Sequence, residues 1–370
     1  MNFSSQVKPV HSPLRILGLS LYGSQAASHR VRLSQFQPGL AAYGIELHIN
    51  SLLDNDYLLR SFSGRRLPYW GVFSSYIRRI WVLLHASSNF DLAIVYGDLL
   101  PFFPGWLERY LLQIPYVYDL DDAFFLKYRA GRFRFLSNLL GSKFDLLMAD
   151  AFVVTAGNAG LSSYAGRFNP NVIMLPSVVD SDQLSPAPLS RSLNSRHPFT
   201  VGWIGSPSTA PYLQLLIEPL QQLARDIPVR FLVVGYHGLD IEGVEVVEQP
   251  WSLELEAPLI QQFDVGVMPL PDTPWTRGKC AYKLLQCMAC GIPVVASSVG
   301  ANVDVVPPSC GFLVDSSQQW LAAFRELAAD PALRQRLGAA ARNWVVQHYS
   351  LRSALPRLCS VIQSASESHL

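Results

Sequence analysis

Short apolar runs alternate along the chain with longer stretches whose apolar positions recur at helical spacing. In the first half, residues 14–23 (LRILGLSLYG) read as a buried strand, 30–43 as a helix and 44–50 (GIELHIN) as the next strand. Residues 90–97 (FDLAIVYG), 114–122 (IPYVYDLDD) and 150–156 (DAFVVTA) continue the series. Residues 171–198 end one more strand and run into a Pro- and Ser-rich polar connector. A second series follows at 199–206, 229–238, 244–249, 263–270, 292–300 and 311–316, and from about Ser317 the pattern is helical with a break at Asp330-Pro331. Strands alternating with helices predict parallel sheets covered on both faces. The chain therefore reads as an α/β protein of two doubly wound, Rossmann-like domains facing a cleft, with ligands expected outside the carboxyl ends of the strands.

A chain of 370 residues exceeds the comfortable size of one hydrophobic core, which agrees with two domains. Hydrophobic residues at 49% and charged ones at 15% exclude a disordered chain and suit strands buried on both faces. The net charge of +1 gives no global basis for nucleic-acid binding, so local clusters carry the chemistry. The apolar stretch 99–118 is interrupted by Pro101, Pro104, Glu108, Arg109 and Pro115, so no bilayer-spanning segment is expected. Residues 1–13 lack the basic start and apolar core of a secretory signal, and a cytoplasmic location is expected. Cys287-x-x-Cys290 has neither a second Cys pair nor a His pair, and small core residues are favoured over a metal or redox site.

The segment 277–297 (RGKCAYKLLQCMACGIPVVAS) is the most informative. Lys279, Lys283, Gln286 and Cys290 are spaced by four, three and four, which puts them on one helix face and leaves Leu284, Leu285 and Met288 for the core. A helix N-terminus with Arg277, Lys279 and Lys283 around it suits a diphosphate. The plain alternative is a solvated helix start.

In chain order, LPSVVD (175–180), VGWIGS at the start of the second domain, DVGVMPLPD (264–272), QCMACGIPVVAS (286–297) with Gly300 and Asp304-Val305-Val306, and the terminal WVVQHYS resemble the GT-B fold glycosyltransferases of family 4, the group 1 transferases. The first domain matches more loosely. The resemblance implies a GT-B fold with an acceptor-side domain over 1–175, a donor domain over 176–345 and a helix over 346–370 packing back towards the first domain. It implies a retaining transferase that moves a sugar from a nucleoside diphosphate sugar to a glycan or lipid-linked acceptor in surface polysaccharide or glycolipid synthesis, with no cofactor and no metal required. On that basis Gly205, Ser206, Arg277, Lys279, Lys283 and Gln286 are donor-binding candidates, and Asp121, Asp122 and Lys283 are catalytic ones. The family often has two glutamates eight positions apart, the first on the transferred sugar and the second on the ribose; here they are Gly278 and Gln286. The Gln286 amide retains ribose hydrogen bonding, whereas Gly278 cannot replace a carboxylate. The loop 205–213 (GSPSTAPYL) lacks the family's basic residues and offers only the hydroxyls of Ser206, Ser208 and Thr209.

Three further clusters carry expectations. In YVYDLDDAFF (116–125) the carboxylates could serve the acceptor hydroxyl, with Asp121 at the family's His position and Asp122 at the following Asp. They could instead hold a divalent cation through Asp119-x-Asp121, or cap a helix. His29, Arg30 and Arg32 follow the first strand, where Arg30 or Arg32 suits an acceptor or lipid phosphate, and His29 reads as a surface or capping residue. Residues 58–85 carry Arg60, Arg65, Arg66, Arg78 and Arg79 among aromatics with no acidic residue. That mixture suits an anionic membrane surface, giving a peripheral protein on the inner face of the cell membrane, or an ordinary helix packed on the sheet. Nucleic acid is not an expected partner, because no recognised module is present. Two other functions stay open: a catalytically degenerate nucleotide-sugar-binding protein, and an Asp-dependent phosphatase using Asp119 and Asp121.

Overall fold

The computed structural model describes residues 13–62, 68–187 and 198–367, so Arg65, Arg66 and residues 188–197 of the connector lie outside the described residues. Among the described residues, twelve strands form where the apolar runs predict them. The first sheet comprises β1 (Leu14–Tyr22), β2 (Ile45–Leu53), β3 (Leu92–Tyr96), β4 (Tyr116–Leu120), β5 (Val153–Ala156) and β6 (Val172–Met174), in the order β2-β1-β3-β4-β5-β6. The second comprises β7 (Phe199–Ile204), β8 (Val229–Val234), β9 (Glu245–Gln249), β10 (Val265–Met268), β11 (Val294–Ser297) and β12 (Gly311–Val314), in the order β12-β11-β10-β7-β8-β9. Pairing is parallel from β2 through β4 and throughout the second sheet.

The second sheet shows why its inner strands are almost wholly apolar. Val201, Trp203, Phe231, Val233, Val265 and Val267 pack with Leu220 and Phe324 on one face. Ile204, Leu232, Val234, Met268 and Ala296 pack with Leu284, Leu285 and Met288 on the other. Burial on both faces leaves few positions for polar residues, so the period-two alternation of a half-exposed strand is lost. Cys287 fills the space over Gly266, where a Cβ would lie 2.5 Å from its sulfur. Burial pushes the Cys287 thiol well up and the Cys290 thiol up to about 12, so both are protonated packing residues rather than a metal or redox pair.

The helix expected over 30–43 is instead three short pieces, Ala27–Arg32, the 3-10 turn Ser34–Phe36 and Gln37–Ala42. Pro38 lies in the first turn of the last piece, the position a residue without an N–H tolerates, so a new helix starts there. The chain divides into two compact units. Within the described residues one holds 13–119, 135–154 and 358–367, and the other holds 120–134 and 155–357.

Candidate active site

In the second sheet β7 lies between β8 and β10, so successive connections leave in opposite directions from β7 and open a crevice at its carboxyl end. The loop after β7 begins at Gly205, where an added Cβ would come 2.4 Å from the Trp203 ring and 2.8 Å from Lys283 Nζ. Glycine is therefore the residue that lets a lysine amine reach this backbone. Beyond it, Ser206 and Ser208 share a hydrogen bond of 2.8 Å between hydroxyls, and the Thr209 hydroxyl donates to the Ser206 carbonyl at 3.1 Å.

Lys283 approaches from the helix Tyr282–Ala289, which follows β10. Its Nζ donates to Thr209 Oγ1 at 2.7 Å and sits 4.9 Å from the centre of the Trp203 ring. Burial, reinforced by the nearby charge of Lys279, pulls its pKa down to about 7. One turn later Gln286 is only 4% exposed, and among the described residues its side-chain amide makes no hydrogen bond. Uncapped N–H groups, a half-buried amine and an amide on a mostly buried side chain thus share one helix.

Lys279 is not on that face. The helix starts at Tyr282 behind Ala281, which takes a left-handed conformation with φ 55°, and Lys279 precedes it in extended backbone. The four-residue spacing from Lys279 to Lys283 therefore has no helical meaning. Lys279 Nζ instead pairs with Asp122 Oδ2 at 2.5 Å, and Asp122 Oδ1 accepts from the Ala123 N–H at 2.9 Å. Arg277 makes a two-pronged, exposed pair with Asp272 at 2.5 and 2.7 Å. Gly278 packs so closely on Ala123 that a Cβ would lie 2.6 Å from the Ala123 Cβ, so no glutamate fits there in this arrangement.

Asn158 is a residue that sequence reasoning missed. It caps the helix Ala159–Ala165 through Leu161 N–H, while its Nδ2 donates to the carbonyls of Lys279 at 3.0 Å and Arg277 at 3.4 Å. An Asn between a strand and a helical run marks a cap; nothing local marks its hold on residues more than a hundred positions away. The Cys280 thiol donates to the Asp121 carbonyl at 2.8 Å. A cavity of about 280 Å³ lies among Asn158, Gly160, Asp272, Arg277, Gly300 and Asp304, and neither Lys283 nor Gln286 lines it.

Arg32, expected to face an acceptor or lipid phosphate, is engaged elsewhere. It is buried, and its guanidinium is spent on Asp119, with Nε to Oδ2 at 2.7 Å and Nη2 to Oδ1 at 2.5 Å. Neither an acceptor phosphate on Arg32 nor a cation or phosphoenzyme on Asp119 fits this mutual two-pronged bond, which corrects those expectations. Arg30 is half-buried and donates to the carbonyls of Ser24 and Gln25. His29 is buried rather than at the surface, its Nδ1 has no partner, and burial with the Arg30 charge lowers its pKa.

Residues 198–330 match the family model described as Glycosyl transferases group 1. This stretch is similar to the group 1 glycosyl transferases. It contains the whole Gly205, Lys283 and Gln286 constellation. A GDP-mannose-dependent α-(1-6)-phosphatidylinositol monomannoside mannosyltransferase of Mycolicibacterium smegmatis is 26% identical over 248 aligned positions, covering 59% of this chain and 64% of the relative. The match thus spans just under two thirds of that relative's length. Sucrose-phosphate synthase of Thermosynechococcus elongatus superposes with a TM-score of 0.68 at 17% identity, over 96% of this chain and 100% of that one. HepE of Anabaena, solved with UDP-glucose, gives 0.67 at 17% identity over 95% and 100%. These structures share this chain's fold of two parallel six-stranded sheets with helices, the GT-B fold.

Proposed function

We propose that the protein is a glycosyltransferase that transfers a sugar from a nucleoside diphosphate sugar to a glycan or lipid-linked acceptor at a membrane surface, with retention at the anomeric carbon. The observation that carries this reading is the Lys283 amine, held 2.7 Å from Thr209 Oγ1 of the loop after β7, with Gln286 one turn further along the same helix. In this reading the donor diphosphate lies against Lys283, the helix N-terminus and the hydroxyls of Ser206 and Thr209, and Gln286 takes a ribose hydroxyl. Charge on the departing diphosphate is met by fixed donors, so the chemistry asks for no metal or cofactor. The acceptor oxygen bonds to the anomeric carbon as the bond to the diphosphate breaks, and the acceptor proton passes to the leaving phosphate oxygen on the same face.

Asp121 serves the acceptor side. Asp122, held by Ala123 N–H and Lys279, supplies the carboxylate for sugar hydroxyls that Gly278 cannot carry. The names of similar proteins suggest GDP-mannose and UDP-glucose as first donors, and synthesis of a surface glycolipid or polysaccharide as the setting.

The absence of space at Gly278 favours one second reading, a degenerate protein that binds nucleotide sugar without turnover. Incubating the protein with each labelled donor and a membrane lipid extract separates the two. Label in a glycan or lipid product with released nucleoside diphosphate supports transfer, and Asp122→Asn should then cut turnover about tenfold or more while nucleotide binding persists. Tight binding with no product would favour the degenerate reading, and no binding of any nucleotide would remove both.

A further inference from the structure

The helix Tyr69–Leu84 has two unlike faces. Ser75, Arg79 and Leu83 are buried, and Arg79 donates to the carbonyls of Ser20 at 2.7 Å and Asn50 at 2.8 Å and to Asn50 Oδ1 at 2.7 Å. The opposite stripe, Trp70, Phe73, Ile77, Trp81 and Leu84, is 84, 60, 54, 61 and 47% exposed. The helix Gly105–Leu111, packed beside it, adds the exposed Trp106 and Tyr110. A stripe of this kind on a soluble surface marks an interaction site.

Of the three described arginines expected to draw this region to anionic lipid, two are engaged elsewhere. Arg79 is inside, and Arg60 pairs with Asp56 at 2.7 Å; Arg78 is on the exposed side. We propose that this face docks into the interfacial layer of a lipid bilayer by insertion of its aromatic side chains, and that docking does not require anionic lipid. The inference rests on the membrane-surface reading above and replaces its driving force.

Charge selects the bilayer over a second copy of the chain. From Tyr57 to Phe90 the sequence has no acidic residue, so two such faces brought together would oppose Arg78 to Arg78. Every phospholipid, zwitterionic ones included, offers a phosphate to that arginine, and Trp and Tyr settle at the depth where one end of the ring is wet. A 16-residue helix is about 24 Å long, and no helix among the described residues is long and apolar enough to cross a membrane, so the helix lies in the plane of the interface. Through Arg79 its inner face is tied to the backbone of β1 and β2 near their carboxyl ends, which holds those strand ends beside the lipid.

The test is flotation of the full chain with vesicles of pure phosphatidylcholine, and of phosphatidylcholine mixed with phosphatidylglycerol, at low salt and at about 1 M salt, where screening is nearly complete. Partition into both kinds, retained in high salt, is expected, with a blue shift of tryptophan emission. Trp70→Ala and Trp81→Ala should each lower partition about tenfold, and Arg78→Ala less than threefold, roughly in proportion to the apolar area removed. Both tryptophans are exposed, and unchanged circular dichroism would confirm that the variants fold. Binding only to anionic vesicles, abolished by salt, would overturn insertion and leave the membrane reading standing. No binding to either vesicle would overturn both, and self-association lost in Trp70→Ala would assign the face to a second copy instead.

Discussion

The Lys283 amine is held 2.7 Å from the Thr209 hydroxyl, joining the helix after β10 to the loop after β7. Bringing an ammonium into this half-buried place costs solvation, which is why its pKa falls from 10.5 to about 7. In the proposed donor site a diphosphate would reverse that cost, since the anion favours the charged lysine.

The first prediction concerns pH. Below about 7 the lysine is already charged and affinity for a nucleoside diphosphate is flat; above it, binding must draw in a proton and affinity falls with rising pH. Calorimetry in buffers of different ionisation enthalpy should show proton uptake at pH 8 and little at pH 6. Stability of the unliganded protein has the opposite sign. The unfolded chain holds the extra proton between about 7 and 10.5, so this lysine makes the native state gain stability as pH rises through that window. Lys283→Met should remove both slopes.

Gly205→Ala places a methyl group against the Trp203 ring and the Lys283 amine. Thermal denaturation should show a loss of about 1–3 kcal/mol from overpacking, together with weaker nucleotide binding. An unchanged melting temperature with unchanged binding would show that the loop yields freely.

Ala281→Gly should stabilise. Ala281 begins the Lys283 helix at φ 55°, a conformation that a side chain disfavours by about 1–2 kcal/mol, part of which is returned by the greater freedom of glycine when unfolded. Loss of the buried Ala281 methyl costs about 0.8 kcal/mol against this, so the net gain expected in chemical denaturation is small, under about 0.5 kcal/mol.

A buried triad in the other unit gives a fourth prediction. Lys143 Nζ lies 2.7 Å from Asp98 and 2.8 Å from Glu108, with all three groups nearly inaccessible. Lys143→Met leaves two carboxylates without their cation and should cost about 3–5 kcal/mol, and adding Glu108→Gln should recover part of it. Burial pushes Glu108 up to about 7 from 4.5, so the native state binds more protons across that range. Its contribution to stability therefore falls as pH rises from 4.5 to 7, and Glu108→Gln should flatten that slope.

The strands were legible because burial on both faces writes itself as uninterrupted apolar sequence, as in Leu92–Tyr96. Lys283 and Gln286 were legible because a spacing of three places them on one helix face. Lys279 misled, since its register depends on Ala281 adopting a conformation that alanine seldom takes and that no neighbouring residue signals. Arg32 and Asp119, 87 positions apart, and Asn158 with its distant carbonyls were illegible for another reason. Their partners are chosen by the tertiary fold, and each residue alone looks like a surface charge or a helix cap.

The central claim is that a nucleoside diphosphate binds on Lys283. It is tested most directly by calorimetric titration of UDP and GDP into the wild-type protein and into Lys283→Ala at pH 6.5. Loss of one charge-assisted contact to phosphate should weaken the preferred nucleotide about tenfold to a hundredfold, with the variant melting at or above the wild-type temperature. Equal affinity in the two proteins would place the diphosphate elsewhere and contradict the assignment.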